Sequence, residues 1–180
     1  MRLPVPLKRR DLVILLTLAG RALAADVQLQ APNVVVIGPQ LVTSGQPGAA
    51  ALRGLGAQGF EAVIYLAPLT VPDAVVEEPE ILRRQNIEFI HIPVRFGQPT
   101  GADFAAFTQA MDRLRGRKLL VHCQVNLRAS SMTFLYRVIA GHEKPDTAYE
   151  AVARVWSPEG PWKRLLVAQL RKARIAFEPY

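Results

Sequence analysis

Short apolar segments alternate with amphipathic or polar ones along most of the chain. The apolar segments are three to eight residues long and are bounded by turn residues, as is typical of buried strands. The predicted strands are 34–37, 41–43, 62–66, 87–94 and 119–122. The predicted helices are 48–58, 76–85, 100–115, 129–140, one that follows Lys144-Pro145-Asp146, and 161–175.

Strands that are apolar throughout and alternate with helices predict an α/β fold, with a central, mostly parallel sheet flanked by helices. In such folds ligands bind beyond the carboxyl ends of the strands. Glycine, proline and polar residues collect after three of the predicted strands, in 67–73, 95–101 and 123–128. We therefore expect the functional site at that edge of the sheet.

The first 24 residues have the pattern of a bacterial export signal. A basic stretch from Arg2 to Arg10 precedes a short apolar run from Leu12 to Ala19. Ala22-Leu23-Ala24 then supplies the small residues for cleavage after Ala24. The pair Arg9-Arg10 also resembles a twin-arginine signal. We therefore predict an exported protein, periplasmic or secreted, with no stable membrane span after cleavage.

Composition argues against several functional classes. The chain of 180 residues carries 22 basic and 15 acidic side chains, but residues 1–24 hold five of the basic ones and one acid. The remainder is only weakly basic, which argues against a nucleic-acid partner. One cysteine excludes a disulfide within the chain and a multi-cysteine metal site, and three histidines leave little for zinc. No metal and no cofactor are expected.

The segment most informative about chemistry is 121–131, Val-His-Cys-Gln-Val-Asn-Leu-Arg-Ala-Ser-Ser. A strand ends at His122, Cys123 follows at once, and Arg128 comes after four further residues, just before a helix. The backbone N–H groups of such a loop and the helix N-terminus attract an anion and favour a thiolate. Arg128 can hold the same anion through two hydrogen bonds. This combination suits attack by Cys123 on a phosphoryl group.

This segment resembles the His-Cys-to-Arg loop of cysteine-dependent tyrosine and dual-specificity phosphatases. More narrowly, the chain is similar to a bacterial tyrosine-phosphatase-like family that is related to beta-lactamase hydrolase-like phosphatase domains. The flanking segments that fit are 43–47, 63–68, 91–94 and 134–137, in a resemblance that spans about residues 34–175. It implies a cysteine-phosphatase-like fold, with residues 25–180 forming a single phosphatase-like domain.

The resemblance implies a phosphocysteine mechanism that acts on a phosphorylated substrate or a small oxyanion. Cys123 is then the nucleophile, Arg128 the phosphate clamp, and His122 a neighbour that holds the loop and the thiolate. The candidate substrate-binding residues are His122, Gln124, Val125, Asn126, Leu127 and Ser130. Since the loop contains no glycine, Asn126 is its residue best able to adopt a left-handed backbone conformation.

The sequence leaves the general acid open. In the dual-specificity enzymes an aspartate follows the strand before the cysteine strand, and Arg95 stands at that place here. Asp103 comes later and also fits a helix cap with Thr100, whereas Asp73 follows a different strand and could reach the pocket. Both aspartates are kept as candidates. Protonation of the leaving oxygen is typically worth ~10²–10⁴-fold in rate, so its absence would slow phosphoesters with poor leaving groups.

Two other functions fit the same residues. The phosphatases usually have five residues between cysteine and arginine, and a hydroxyl residue after the arginine, where this chain has four residues and Ala129. A six-residue loop is also the length found in rhodanese-like sulfurtransferases, which carry a persulfide on the cysteine. A site without an acid also fits a pseudo-phosphatase that binds an anion or a phosphorylated partner. Phosphatase chemistry remains the first prediction.

Overall fold

The computed structural model describes residues 27–180, so the predicted export signal lies outside the described residues. The strands are β1 (Val35–Gly38), β2 (Leu41–Ser44), β3 (Ala62–Tyr65), β4 (Glu88–His91) and β5 (Leu119–His122). The helices are α1 (Ala49–Arg53), α2 (Glu78–Arg83), α3 (Gly101–Arg113), α4 (Leu127–Ile139), α5 (Pro145–Ala153) and α6 (Gly160–Lys172). Among these helices, none has the length and apolar character needed to cross a membrane.

The strands form one sheet in the order β1-β2-β5-β3-β4. β1 runs antiparallel to β2, and every other neighbouring pair is parallel, which confirms the predicted mostly parallel sheet. β5 is the central strand. Its carboxyl end is therefore flanked by the carboxyl ends of β2 and β3, and the loop that follows it lies in the middle of that edge of the sheet.

Helices cover both faces of the sheet, which explains why the strands are apolar throughout. Alternate strand residues enter two separate cores, because successive side chains point to opposite faces. Ile64 and Val121 belong to a large core with α3, α4, α5 and α6. Val63 and Leu120 belong to a smaller core with α1 and α2. The loops after the strands are thus carried by a sheet that is packed on both sides.

The end of β4 differs from the prediction. The strand ends at His91 instead of Val94, because Pro93 has no N–H to donate to a neighbouring strand. The N–H groups of Ile92 and Val94 still donate to the carbonyls of 65–66, at 2.9 and 3.0 Å. The segment after β4 consequently stays beside β3 and is fixed as it reaches the carboxyl edge of the sheet.

Three helix starts or ends also differ. The predicted helix 48–58 is divided into α1 and a 3-10 turn at Gly56–Gln58, because Gly54 and Gly56 weaken the helix between them. α2 begins at Glu78, since Pro79 is tolerated only in the first turn. α4 begins at Leu127, two residues earlier than predicted, so Arg128 lies on the first turn of the helix.

Candidate active site

Cys123 lies at the carboxyl end of the central strand and is completely buried. Its N–H donates to the carbonyl of Ser44 at 3.3 Å, which extends the pairing of β5 with β2 by one residue. The chain then turns through 124–126 into α4. The first N–H groups of a helix have no acceptor within it and project toward the preceding chain, which is the geometry that the predicted anion site requires.

The segment after β2 forms a wall against the cysteine loop. Gly45 forms an antiparallel bridge with Val125, and the N–H of Gln46 donates to the carbonyl of Gln124 at 3.0 Å. A Cβ atom on Gly45 would lie 2.8 Å from that same carbonyl oxygen, which is closer than a side chain allows. Glycine is therefore required for the close approach of the two segments.

Asn126 gives the loop its sharp turn. It adopts a left-handed conformation, with φ +71° and ψ 0°, which confirms the prediction from sequence. Its side-chain amide Nδ2 donates to the carbonyl of Asn33 at 2.6 Å and to Oγ1 of Thr43 at 3.1 Å. The asparagine thus supplies the backbone geometry of a glycine and also ties the loop to the first hairpin of the sheet.

Arg128 is a buried cation, only 5% exposed. Its Nε donates to the carbonyl of Val94 at 3.0 Å, and its guanidinium carbon lies 5.2 Å from the centre of the Phe96 ring. Among the ion pairs formed within residues 27–180, none includes Arg128. Burial of a charge costs several kcal/mol unless an opposite charge meets it, which keeps Arg128 as the candidate phosphate clamp.

The loop that orients Arg128 is itself held by the carboxyl-terminal part of the chain. The indole Nε1 of Trp162 donates to the carbonyl of Phe96 at 2.9 Å. The Phe96 ring lies 6.0 Å from the ring of Trp156 and 5.9 Å from that of Trp162. These contacts fix the segment that carries the Val94 carbonyl and hence the direction of the guanidinium.

His122 is held by a residue that the sequence did not reveal. Its Nε2 donates to Oε1 of Glu78 at 2.7 Å, and both side chains are almost completely buried. Glu78 stands in an acidic run, Glu77-Glu78-Pro79-Glu80, which has the composition of a solvated helix start. Nothing in that pattern distinguishes the buried acid from its neighbours, so only the tertiary structure identifies it.

The pKa of Tyr65 is affected by several ionisable groups of the site. Burial, followed by the Coulombic effects of Glu78, Asp73 and Cys123, raises the pKa of Tyr65 to about 12, against a smaller opposing effect of Arg128. The phenol therefore keeps its proton at physiological pH. Since β3 and β5 are parallel neighbours, the loops that follow them lie at the same end of the sheet.

The two acid candidates stand in different surroundings. Asp73 is exposed in the loop after β3, and its charge makes a minor contribution to the raised pKa of Tyr65. The Asp103 carboxylate accepts from both the N–H and the hydroxyl of Thr100, at 2.8 and 2.7 Å, as the predicted helix cap of α3. Asp73 is thus free to meet a substrate, whereas Asp103 is engaged by the helix start. Their catalytic roles stay predictions.

The remaining predicted substrate-binding residues are arranged around the turn. Val125 is exposed, Gln124 and Leu127 are half-buried, and Ser130 is buried. The Ser130 hydroxyl donates to the carbonyl of Leu127 at 3.2 Å, one turn back in α4. Within residues 27–180 no three histidine, cysteine or acidic side chains are grouped so as to hold a metal ion.

The fold and the cysteine loop together define a phosphatase-like hydrolase of the dual-specificity and tyrosine phosphatase superfamily. A family model described as "DSP-PTPase phosphatase fused to NAD+ Kinase" matches residues 38–160, which is more than half of the chain. The chain belongs to this family of DSP-PTPase phosphatases. The resemblance inferred from the cysteine loop and its flanking segments is thereby confirmed.

Solved structures agree with this assignment. A candidate phosphatase (DUF442) from Shewanella putrefaciens is 29% identical, over 79% of this chain and 91% of that one, with a TM-score of 0.72. Tk-PTP in its active form is 20% identical over 79% and 96% of the two chains, with a TM-score of 0.61. PTPMT1 in complex with PI(5)P is 18% identical over 78% and 96%, with a TM-score of 0.64. At these identities the last two support the fold alone. A search of curated proteins finds no match to the chain.

Proposed function

We propose that the protein is an exported phosphatase that hydrolyses phosphoesters of the phosphotyrosine or small aryl type through a phosphocysteine intermediate. The observation that carries the proposal is Arg128, a buried guanidinium on the first turn of α4 that forms no ion pair within residues 27–180. It stands at the end of the same loop as Cys123. A thiolate, free helix amides and an unpaired arginine are the groups that phosphoryl transfer to sulfur requires.

The proposed reaction has two displacements at phosphorus. In the first, the Cys123 thiolate forms an S–P bond, the P–O bond to the leaving group breaks, and the leaving oxygen takes the electron pair and a proton, which comes from the general acid or from water. In the second, water attacks phosphorus and gives up a proton to the base form of that acid or to solvent, the S–P bond breaks with its electron pair going to sulfur, and thiolate and inorganic phosphate are released. Arg128 and the amides of the loop hold the non-bridging oxygens, on which negative charge is concentrated in both steps.

The surroundings of the loop support an aromatic substrate. Exposed apolar side chains, between 38% and 75% exposed, stand in the loops after β3, β4 and β5, and they are Leu69, Val76, Phe96 and Val125. These strands have adjacent carboxyl ends in the order β5-β3-β4. Exposed apolar side chains in the loops at this edge of the sheet favour a phosphate attached to an aryl body over one attached to a polyol.

Export is proposed from the leader pattern of residues 1–24 alone. It is tested by the N-terminus of the protein recovered from the periplasm, which we expect at Ala25. Recovery of uncleaved protein from the cytoplasm would contradict it.

The reaction is tested with freshly reduced protein and a fluorogenic aryl phosphate across a range of pH. Such a substrate has a good leaving group, so it measures the nucleophile even where the acid is weak. We expect turnover of the phosphate and no added sulfur on Cys123 after exposure to thiosulfate or a persulfide donor. Persulfide without phosphate release would identify the sulfurtransferase that the six-residue loop also fits. Stabilisation by phosphate without turnover would identify a pseudo-phosphatase.

Asp73→Asn is expected to slow hydrolysis of phenyl phosphate by ~10² or more and to affect the fluorogenic aryl phosphate far less. A general acid matters most where the leaving oxygen is most basic. The measurement is kcat on the two substrates, with Asp103→Asn as the comparison, since Asp103 completes the capping box of α3 with Thr100. If Asp73 is the acid, Asp103→Asn should lower the free energy of unfolding by about 0.3–1 kcal/mol, through the charge lost at the helix start, and leave the ratio of the two kcat values unchanged. An equal loss of both substrates in Asp73→Asn would remove Asp73 as the acid.

A further inference from the structure

Glu78 is the only acidic side chain within residues 27–180 that is fully buried. Each of its carboxylate oxygens accepts one side-chain hydrogen bond. Oε1 accepts from Nε2 of His122 at 2.7 Å, and Oε2 accepts from Nε2 of Gln46 at 2.9 Å. The carboxylate therefore bridges two donors, one at the end of β5 and one in the segment that follows β2.

Both donors belong to the frame of the cysteine loop. His122 is the residue immediately before Cys123. Gln46 donates its backbone N–H to the carbonyl of Gln124, the residue immediately after Cys123. The Glu78 carboxylate thus connects the two segments between which the nucleophile is held.

The imidazole of His122 is held both by its hydrogen bond to Glu78 and by aromatic stacking on the face of its ring. The ring of Tyr65 stacks on it with centroids 4.7 Å apart and planes at 20°, and the ring of His91 stacks on Tyr65 at 5.2 Å. The bond to Glu78 places a hydrogen on Nε2 of His122, because a carboxylate only accepts. Nδ1 of His122 is buried and has no partner among the described residues. The plane and the orientation of the ring are therefore both fixed, with Nε2 directed at Glu78.

We propose that Glu78 is a positioning residue for the Cys123 nucleophile, acting through His122 and Gln46. The proposal rests on the proposed phosphatase function. A buried carboxylate destabilises the fold unless its partners compensate for the lost hydration. The helix α2 does not require a buried acid for its own stability, since Glu80 in the same helix is half-exposed and pairs with Arg83 and Arg84. What the buried acid adds is a fixed distance and orientation between the segments on either side of Cys123.

The test compares Glu78→Gln with Glu80→Gln, two substitutions of the same kind in one helix. The amide introduced by Glu78→Gln can accept only through its oxygen, so its NH₂ group must face either His122 or Gln46, each of which is a donor in the present arrangement. We expect kcat for an aryl phosphate to fall about tenfold with KM nearly unchanged, the size of one hydrogen bond to a charged group. The rate of Cys123 alkylation by iodoacetamide at fixed pH should change as well. Glu80→Gln should alter neither quantity.

A second variant and a double mutant make the inference specific. Gln46→Ala removes one donor and should change kcat and alkylation in the same direction as Glu78→Gln, even if the latter folds poorly. In the background of His122→Gln, the further effect of Glu78→Gln on kcat should largely disappear, because residues that act through one another are not additive.

Three results would overturn the inference. The first is a folded Glu78→Gln protein that has a lower Tm but an unchanged kcat and an unchanged alkylation rate. The second is a fall in kcat in Glu80→Gln as large as that in Glu78→Gln. The third is an effect of Glu78→Gln on kcat that is the same with and without His122→Gln. If the unmodified protein hydrolyses no phosphoester, the proposed function fails, while the alkylation rates still decide whether Glu78 positions Cys123.

Discussion

Cys123→Ser is expected to abolish turnover of an aryl phosphate while the protein remains folded. A hydroxyl is a far weaker acid than a thiol and a poorer nucleophile when it lacks an activating base, so the attacking group is lost. Removal of a nucleophile lowers kcat by several orders of magnitude in enzymes that form covalent intermediates. The measurement is kcat with the fluorogenic substrate, together with mass analysis of acid-quenched protein for phosphate on Cys123.

The fold should tolerate this change because one atom is exchanged without a change of shape. Cys123 is completely buried, so the new hydroxyl needs an acceptor in the loop, and the penalty if it lacks one is about 1–3 kcal/mol. For a chain of this length that corresponds to a fall in Tm of about 2–12 °C, at about 2–4 °C for each kcal/mol. Far-UV circular dichroism should remain that of the unmodified protein.

The serine variant also separates binding from chemistry. Arg128 and the amides of α4 are unchanged in it, so inorganic phosphate should still raise its Tm. Turnover that persists at the unmodified rate in Cys123→Ser would exclude a phosphocysteine mechanism for this chain. Loss of both turnover and the effect of phosphate would instead indicate that the loop had collapsed, and folding would have to be measured first.

The parts of the site that follow from local chemistry could be predicted from sequence. The apolar run ending at His122 fixed the place of Cys123, and the absence of glycine in 124–127 singled out Asn126 as the left-handed residue. The Thr100–Asp103 cap followed from the spacing of two residues in the same way. Each of these predictions needed only the backbone within a few residues of the motif.

The contacts that tie the loop to the rest of the fold could not be predicted. Glu78 lies 44 residues before His122, and its burial depends on where α2 crosses the sheet. The acceptor of Arg128, the Val94 carbonyl, lies 34 residues before it, on a segment that was predicted to be strand and is not. Which member of an acidic run is buried, and which carbonyl an arginine meets, are properties of tertiary packing that the local pattern does not contain.

Arg128→Met is expected to abolish the stabilisation of the protein by phosphate and to lower kcat/KM by ~10²–10³ or more. Methionine occupies similar length without charge, so the variant removes the anion clamp while much of the packing against Phe96 is retained. Loss of one preorganised donor to a developing oxyanion typically costs this factor, and the guanidinium can supply two. The measurements are kcat/KM and the Tm with and without inorganic phosphate.

A matched control lies on the same helix. Arg137 in α4 pairs with Glu143, with Nε–Oε2 at 2.8 Å, and also donates to the carbonyl of Ala148. Arg137→Met should therefore lower Tm, because it leaves Glu143 without its partner, and should leave the response to phosphate intact. For the unmodified protein, ligand at 100 times Kd adds about 2.7 kcal/mol, or about 5–10 °C in Tm.

A sharper test is whether Arg128→Met raises or lowers the Tm of the protein in the absence of phosphate. Arg128 is buried with no carboxylate partner among residues 27–180, so in the absence of an anion its charge is a cost to the fold. Arg128→Met should therefore have a Tm equal to or above that of the unmodified protein without phosphate, and a lower one with saturating phosphate. An arginine kept only for packing and its bond to Val94 would give a lower Tm under both conditions. The Tm of the unmodified protein is expected to start at or below that of Arg128→Met and to exceed it as phosphate is added only if the buried charge is retained for an anion.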